Sequence, residues 1–215
     1  MTDPPSRTLG VAFSDGDRVS RIAGAVLRAD ATLDGLAYGA CTVGGTDATD
    51  AVVDLVADLD REDVRHVCIA GVAPAWFNLL DLRRIREELD RPVSAVSYEA
   101  SPGLEPALRE AFGGGEGDDA GAGNDADGDD LAERLAVYRS LPPRRRVELG
   151  GSNSADIESD TSDPLFVRAV GLADDRAAAI VRSLVREGFR RPEPLRVASI
   201  AASAHREAVP DASLF

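Results

Sequence analysis

Asp47 and Asp50 stand three residues apart in Gly44-Gly45-Thr46-Asp47-Ala48-Thr49-Asp50, and Asn78 and Asp81 repeat that spacing in Phe77-Asn78-Leu79-Leu80-Asp81. Each pair follows an apolar run and opens a helix-like pattern, so acids and an amide are placed where a strand gives way to a helix. Mg²⁺ needs just one or two carboxylates plus waters. Held that way, it would polarise a phosphodiester and turn water into a hydroxide nucleophile. The same spacing has a structural use. Asp47 is a natural N-cap with Asp50 at the third helical position, and Asn78 can cap the next helix with Asp81 at its third position. Spacing alone favours capping, because caps are general and metal sites are rare. Convergence of both pairs on one cleft would favour the metal.

Other residues suit a nucleic-acid ligand. Arg144-Arg145-Arg146 follow Pro142-Pro143 with no acid immediately beside them, which suits phosphate contact. Arg83, Arg84 and Arg86 sit among Glu87 and Glu88, a pattern for surface ion pairs. Trp76 and Phe77 lie in a polar loop and are read either as a base-stacking wedge or as a hydrophobic staple onto the following helix. His66 and His205 have no ligand-like spacing, and Cys41 and Cys68 sit in apolar strand contexts as small buried hydrophobes. There is no phosphate loop, dinucleotide fingerprint or serine-hydrolase elbow.

The elements that must position these groups fall in two series. Apolar runs at Arg7–Phe13, Arg21–Arg28 and Leu36–Val43, joined by short turns, predict three antiparallel strands. From Ala48 the pattern alternates helix and strand: Ala48–Leu59, Val67–Val72, Leu79–Leu89, Val93–Tyr98 and Leu104–Phe112. That predicts parallel strands with helical crossovers. The fold class expected is α/β and ribonuclease H-like, a mixed sheet of three antiparallel strands followed by parallel βαβ units. One domain spans 1–215. Residues 113–130, glycine-rich and acidic with no large apolar group, read as a disordered insertion, and 150–163 as a polar loop. That loop interrupts a hairpin between 146–149 and 165–170. A short helix is expected at Leu131–Tyr138, and a longer one at Asp174–Glu187.

Composition bounds the setting. With 44% hydrophobic residues the 215-residue chain can bury a sizeable core. The net charge of −14 comes from 25 Asp and 13 Glu against 24 Arg and no Lys. Such a surface suits a salt-loving archaeon, since molar salt cuts the screening length to roughly 3 Å. It also argues against broad electrostatic attachment to nucleic acid. No apolar run is long enough to span a membrane and no secretion signal begins the chain, so a cytoplasmic protein is expected.

Several separated motifs, in order, resemble the archaeal family long labelled domain of unknown function 99 and now associated with endonuclease dU. They are Leu9-Gly10-Val11, Asp34-Gly35, Gly44 through Asp50, Gly71, Phe77 through Asp81, Arg91-Pro92-Val93 and Pro192 through Arg196. The resemblance implies a fold similar to endonuclease V and cleavage of deoxyuridine-containing DNA with Mg²⁺ or Mn²⁺. Carried over by position, it implies Asp47, Asp50, Asn78 and Asp81 as candidate catalytic residues, with Asp47 and Asp81 as metal ligands. The family places two acids directly after Gly10-Val11, where this chain has Ala12-Phe13. Asp15 is the nearest acid and a third candidate ligand. Arg144, Arg145, Arg146 and Trp76 are the expected nucleic-acid contacts. The alternative, favoured by Ala12-Phe13, is a catalytically inactive family member that binds nucleic acid or a protein partner.

Overall fold

The computed structural model describes residues 6–113, 125–149 and 164–209. Seven strands form one sheet in the order β3-β2-β1-β4-β5-β7-β6. The strands are β1 (Arg7–Asp15), β2 (Val19–Arg28), β3 (Leu33–Thr42), β4 (His66–Ala70), β5 (Val93–Ser97), β6 (Arg145–Val147) and β7 (Leu165–Val170). The helical segments are α1 (Ala48–Leu59), the four-residue turn α2 (Pro74–Phe77), α3 (Leu82–Leu89), α4 (Glu105–Phe112), α5 (Asp125–Ser140), α6 (Asp174–Ser183) and α7 (Glu193–Ala208).

The first three strands are antiparallel neighbours, and β4 and β5 add to β1 in parallel, as the alternating pattern predicts. The far edge departs from that expectation. β7 joins β5 antiparallel, so the sheet does not end on parallel βαβ units, while β6 and β7 pair antiparallel as the expected hairpin does. Residues 150–163 lie outside the described residues, as does most of 113–130. Within the latter, however, α5 already begins at Asp125, six residues before the expected helix. α3 starts at Leu82 rather than Leu79, because Asp81 itself accepts the first free N–H groups. The stretch after Pro192 is the helix α7.

Side chains alternate across the sheet with period 2. Leu9, Val11, Ile22, Val26, Val67 and Ile69 pack beneath α1 and α3. The opposite face is built from smaller residues: Ala12 and Ala25 meet Ala198, and Ala23 meets Ala201 and Ala202 of α7. This seam lets α7 approach closely. A Cβ on Gly10 would lie 2.3 Å from the Pro194 carbonyl carbon, so the helix rests directly on the β1 backbone and only glycine fits there. Cys41 and Cys68 are buried free thiols, and burial pushes both up to about 12.

Candidate functional site

The two aspartate motifs meet at the carboxyl edge of the sheet, but they meet as structure. Asn78 is fully buried. Its Nδ2 donates to the Thr42 carbonyl at 2.8 Å and to Asp47 Oδ1 at 2.7 Å, and its Oδ1 accepts the Ala48 N–H at 2.9 Å. Asn78 therefore caps α1 from 30 residues away, where the sequence pointed to a cap on its own helix. Asp47 occupies the N-cap position of α1 without capping it. Its carboxylate turns back instead, and Oδ2 accepts the Thr42 hydroxyl at 2.9 Å while both oxygens share the Thr42 N–H at 3.1 Å. Burial opposes ionisation of Asp47, yet the bonds from Asn78 and Thr42 together outweigh it and hold the carboxyl below its ordinary pKa.

The second pair interlocks with the first. The Asp81 N–H donates to Thr49 Oγ1 at 2.9 Å, and Asp81 Oδ1 accepts the Arg83 and Arg84 N–H groups at 3.0 Å each, as an N-cap does. Asp50, half exposed, pairs with Arg84 Nη2 at 2.5 Å, and Arg84 also holds Glu88. The four polar residues thus do converge, and each has a structural partner.

A third group, which sequence spacing missed, locks the same loops. Arg134 of α5 is 3% exposed. Its guanidinium donates to the carbonyls of Gly44 (2.7 Å), Gly45 (3.0 Å) and Phe77 (2.6 Å), pairs with Asp130 at 2.9 Å, and lies 4.2 Å over the Phe112 ring. The sole hint in the sequence is the i, i+4 Asp130–Arg134 spacing. Arg134 holds a strained turn in place: Ala75, Trp76 and Phe77 all have positive φ (48°, 52° and 61°). L-residues in that region cost roughly 1–2 kcal/mol each. The turn is closed by the Asn78 N–H on the Pro74 carbonyl at 3.0 Å and by the Gly44 N–H on the Ala75 carbonyl at 2.7 Å. It carries Trp76 to the surface, 54% exposed, tilted against Phe112 with ring centroids 5.1 Å apart. Trp76 is thereby presented outward rather than used as a staple. A Cβ on Gly44 would come within 2.8 Å of the indole, so that glycine seats the ring.

Beside this turn, at the carboxyl ends of β1 and β4, lies a cleft of about 300 Å³ whose walls include Ala12, Phe13, Asp15, Tyr98, Arg191 and Ser199. Crevices outside the carboxyl ends of parallel strands are where α/β sheets bind ligands. Ala12 and Phe13, which replace the expected acids, form part of its wall. Asp15 is exposed at the rim, with Oδ1 accepting the Ser20 hydroxyl at 2.6 Å. The Arg191 guanidinium sits 5.1 Å from the Tyr98 ring centroid.

This donor set does not fit a divalent cation held jointly by Asp47, Asp81 and Asp15, and it leaves Asp15 as the one candidate ligand on the cleft. Both oxygens of Asp47 already face N–H or O–H donors, which would have to turn away to admit a metal. No group of three His, Cys, Asp or Glu side chains able to hold one forms among the described residues. The arginine trio also divides. Arg145 pairs with Asp174 at 2.6 Å and Arg146 with Glu148 at 2.6 Å, so both are neutralised surface groups rather than open phosphate contacts. Arg144 alone of the three has no carboxylate partner among the described residues.

The profile of the endonuclease dU family matches residues 5–118 and 125–206. A UPF0215 protein of Thermococcus kodakarensis is 32% identical over 183 residues, covering 84% of this chain and 78% of the relative. Among solved structures, a protein of unknown function from Archaeoglobus fulgidus superposes with a TM-score of 0.71 at 22% identity, covering 93% of this chain and 97% of that one. Endonuclease V of Bacillus subtilis gives 0.57 at 13% identity, with 94% and 81% covered. Endonuclease V of Ciona intestinalis, in complex with DNA containing an inosine, gives 0.55 at 11% identity, with 94% and 86% covered. What these structures share with the chain is its mixed α/β fold. Among the described residues no helix is long and apolar enough to cross a membrane.

Proposed function

The chain belongs to the endonuclease dU family, and from that premise we propose that it is an endonuclease acting on DNA that contains deoxyuridine, bound across the face where β1, β4 and β5 end. The family is named for a nuclease, and the fold is shared with endonuclease V. One observation carries the placement: the cleft bounded by Asp15, Tyr98 and Arg191 opens beside a strained turn that exposes Trp76. Strain of this kind persists where the surroundings over-determine it, and it clusters at ligand-binding sites. Trp76 would stack on a base, as aromatic rings do in single-strand sites, and Arg144 and Arg191 would meet phosphates. An acidic chain gains little from general attraction to DNA, so specific arginines must supply the contact. Its surface suits assay in molar KCl.

Mg²⁺ or Mn²⁺ is the cofactor in keeping with nuclease chemistry, and such an ion would activate water and polarise the phosphodiester. Because Asp47 and Asp81 serve as clamp and cap, no step is routed through them. Of the candidate acids, Asp15 is the one on the cleft wall. A second reading has a specific observation in its favour. With Ala12 and Phe13 in that wall, the chain is a family member that binds DNA without cutting it.

A uracil-containing duplex and its thymine counterpart, incubated at molar KCl with Mg²⁺, Mn²⁺ or a chelator, decide between them. Metal-dependent cleavage of the uracil duplex, lost in Asp15→Asn and kept in Asp81→Asn, is the expected result. Binding without cleavage under every condition leaves the silent reading. No binding to either duplex overturns both.

A further inference from the structure

A second pocket, of about 420 Å³, opens on the far side of the β4 end and is lined by Arg144, Arg168, Ser97 and Glu99 together with an apolar wall that includes Val72, Leu104 and Tyr138. Its volume is in the range of small-molecule sites, roughly 300–1,000 Å³. Two cations here face each other's field: burial and then the neighbouring Arg168 lower the Arg144 pKa, with a small opposing contribution from Tyr138. In a chain with 38 acids against 24 arginines, two half-buried arginines side by side, neither ion-paired to a carboxylate among the described residues, are unexpected.

Both side chains are held by acceptors that leave their charge in place. Arg144 donates to the carbonyls of Ser101 and Glu99 and to the Ser97 hydroxyl, and its guanidinium lies 3.9 Å over the Phe166 ring. Arg168 donates from Nη1 to the Pro142 carbonyl, while its Nε and Nη2 have no partner among the described residues. Glu99 lines the pocket, but it is exposed and ion-pairs with neither arginine. The Arg144 Nε is likewise uncommitted. Gly71, on the pocket lining, has positive φ, and nothing lies within 4 Å of where a Cβ on it would stand.

We propose that this pocket binds a nucleotide-sized organic phosphate, with the phosphate on Arg144, Arg168 and the Ser97 hydroxyl and the organic part against Val72, Leu104 and Tyr138. Guanidinium forks suit phosphate oxygens, and the uncommitted N–H groups are the ones a dianion would satisfy. The apolar wall is what separates an organic phosphate from a free anion. The phosphate could belong to a mononucleotide or to a nucleotide of a strand. The inference stands independently of cleavage at the Asp15 cleft.

The test is calorimetric binding in molar potassium glutamate, which avoids competing chloride, using 2′-deoxyuridine 5′-monophosphate, deoxyuridine, inorganic phosphate and a 5′-phosphorylated uracil oligonucleotide. Saturable mononucleotide binding is expected, with deoxyuridine and inorganic phosphate each at least tenfold weaker. Arg168→Gln should weaken it by about tenfold. Arg168→Lys, which keeps the charge, should recover part of that loss, and Arg145→Gln, whose partner is Asp174, should leave it unchanged. An oligonucleotide that competes with the mononucleotide assigns the site to a strand, and one that does not assigns it to the free nucleotide. Equal binding of deoxyuridine and its monophosphate, no binding of either, or an Arg168→Gln protein that is folded by circular dichroism and binds undiminished would each overturn the proposal. Loss of DNA cleavage with mononucleotide binding intact would count against the nuclease reading alone.

Discussion

Two polar regions share the carboxyl edge of the sheet and treat their charges in opposite ways. Around Asn78 nearly every donor and acceptor has a protein partner: the amide is used on both sides, both Asp47 oxygens are engaged, and Arg134 spends its fork on three carbonyls. Around Arg168 the charges repel, and guanidinium N–H groups have no partner among the described residues. Polar groups that satisfy one another stabilise a fold, whereas polar groups kept exposed and unpaired toward a pocket are available to a ligand. The motifs that looked most like chemistry in the sequence belong to the first kind.

The sharpest way to break this contrast is to remove the buried fork. Arg134→Met should cost about 4 kcal/mol in denaturant unfolding, because it strips the hydrogen bonds from three loop carbonyls and leaves Asp130 unpaired. A loss under about 1 kcal/mol would mean the strained turn does not depend on α5. Asn78→Ala should cost about 3 kcal/mol, since in a fully buried setting it orphans the Ala48 N–H, takes a donor from Asp47 Oδ1 and leaves the Thr42 carbonyl with the Gly45 N–H alone. Unchanged stability with abolished cleavage would convert Asn78 from a clamp into a participant in the reaction.

Asp81→Asn should lower stability by less than about 1 kcal/mol, because an amide oxygen still accepts the Arg83 and Arg84 N–H groups. If it also left DNA cleavage intact, Asp81 would stand as a cap alone. The smallest effect expected is in acid. The folded-state pKa of Asp47 lies below its unfolded value, so its contribution is complete above the unfolded pKa and fades as pH falls through the folded one. Asp47→Asn should therefore be less stable than wild type at pH 7 and converge on it in strong acid. A constant difference at all pH values would show that the Asn78 and Thr42 bonds do not favour the ionised form.

Local pattern made much of the fold legible. The three opening strands, α1, β4, β5 and the hairpin expected between 146–149 and 165–170 follow from periodicity, since alternation and helical spacing are properties of neighbouring residues. The antiparallel pairing of β7 with β5 was not legible, because nothing within 165–170 says which strand of the sheet the hairpin will join. The likeness of Asp47 to an N-cap misled in the same way. Its spacing fits a cap, but the carboxylate is drawn to Thr42 and Asn78, and Asn78 arrives from 30 residues away.

What the sequence alone determined is the composition of this protein: an arginine-only acidic chain, a strand series followed by crossovers, and family motifs in order. It also determined the absence of acids at Ala12 and Phe13. Tertiary structure decided which polar groups have partners. Arg144, Arg145 and Arg146 are identical side chains in adjacent positions, yet folding gives Arg145 and Arg146 their acids and sets Arg144 beside Arg168. The free energy of a charge depends on its solvation and on neighbours within a few ångströms, and long-range packing chooses those neighbours.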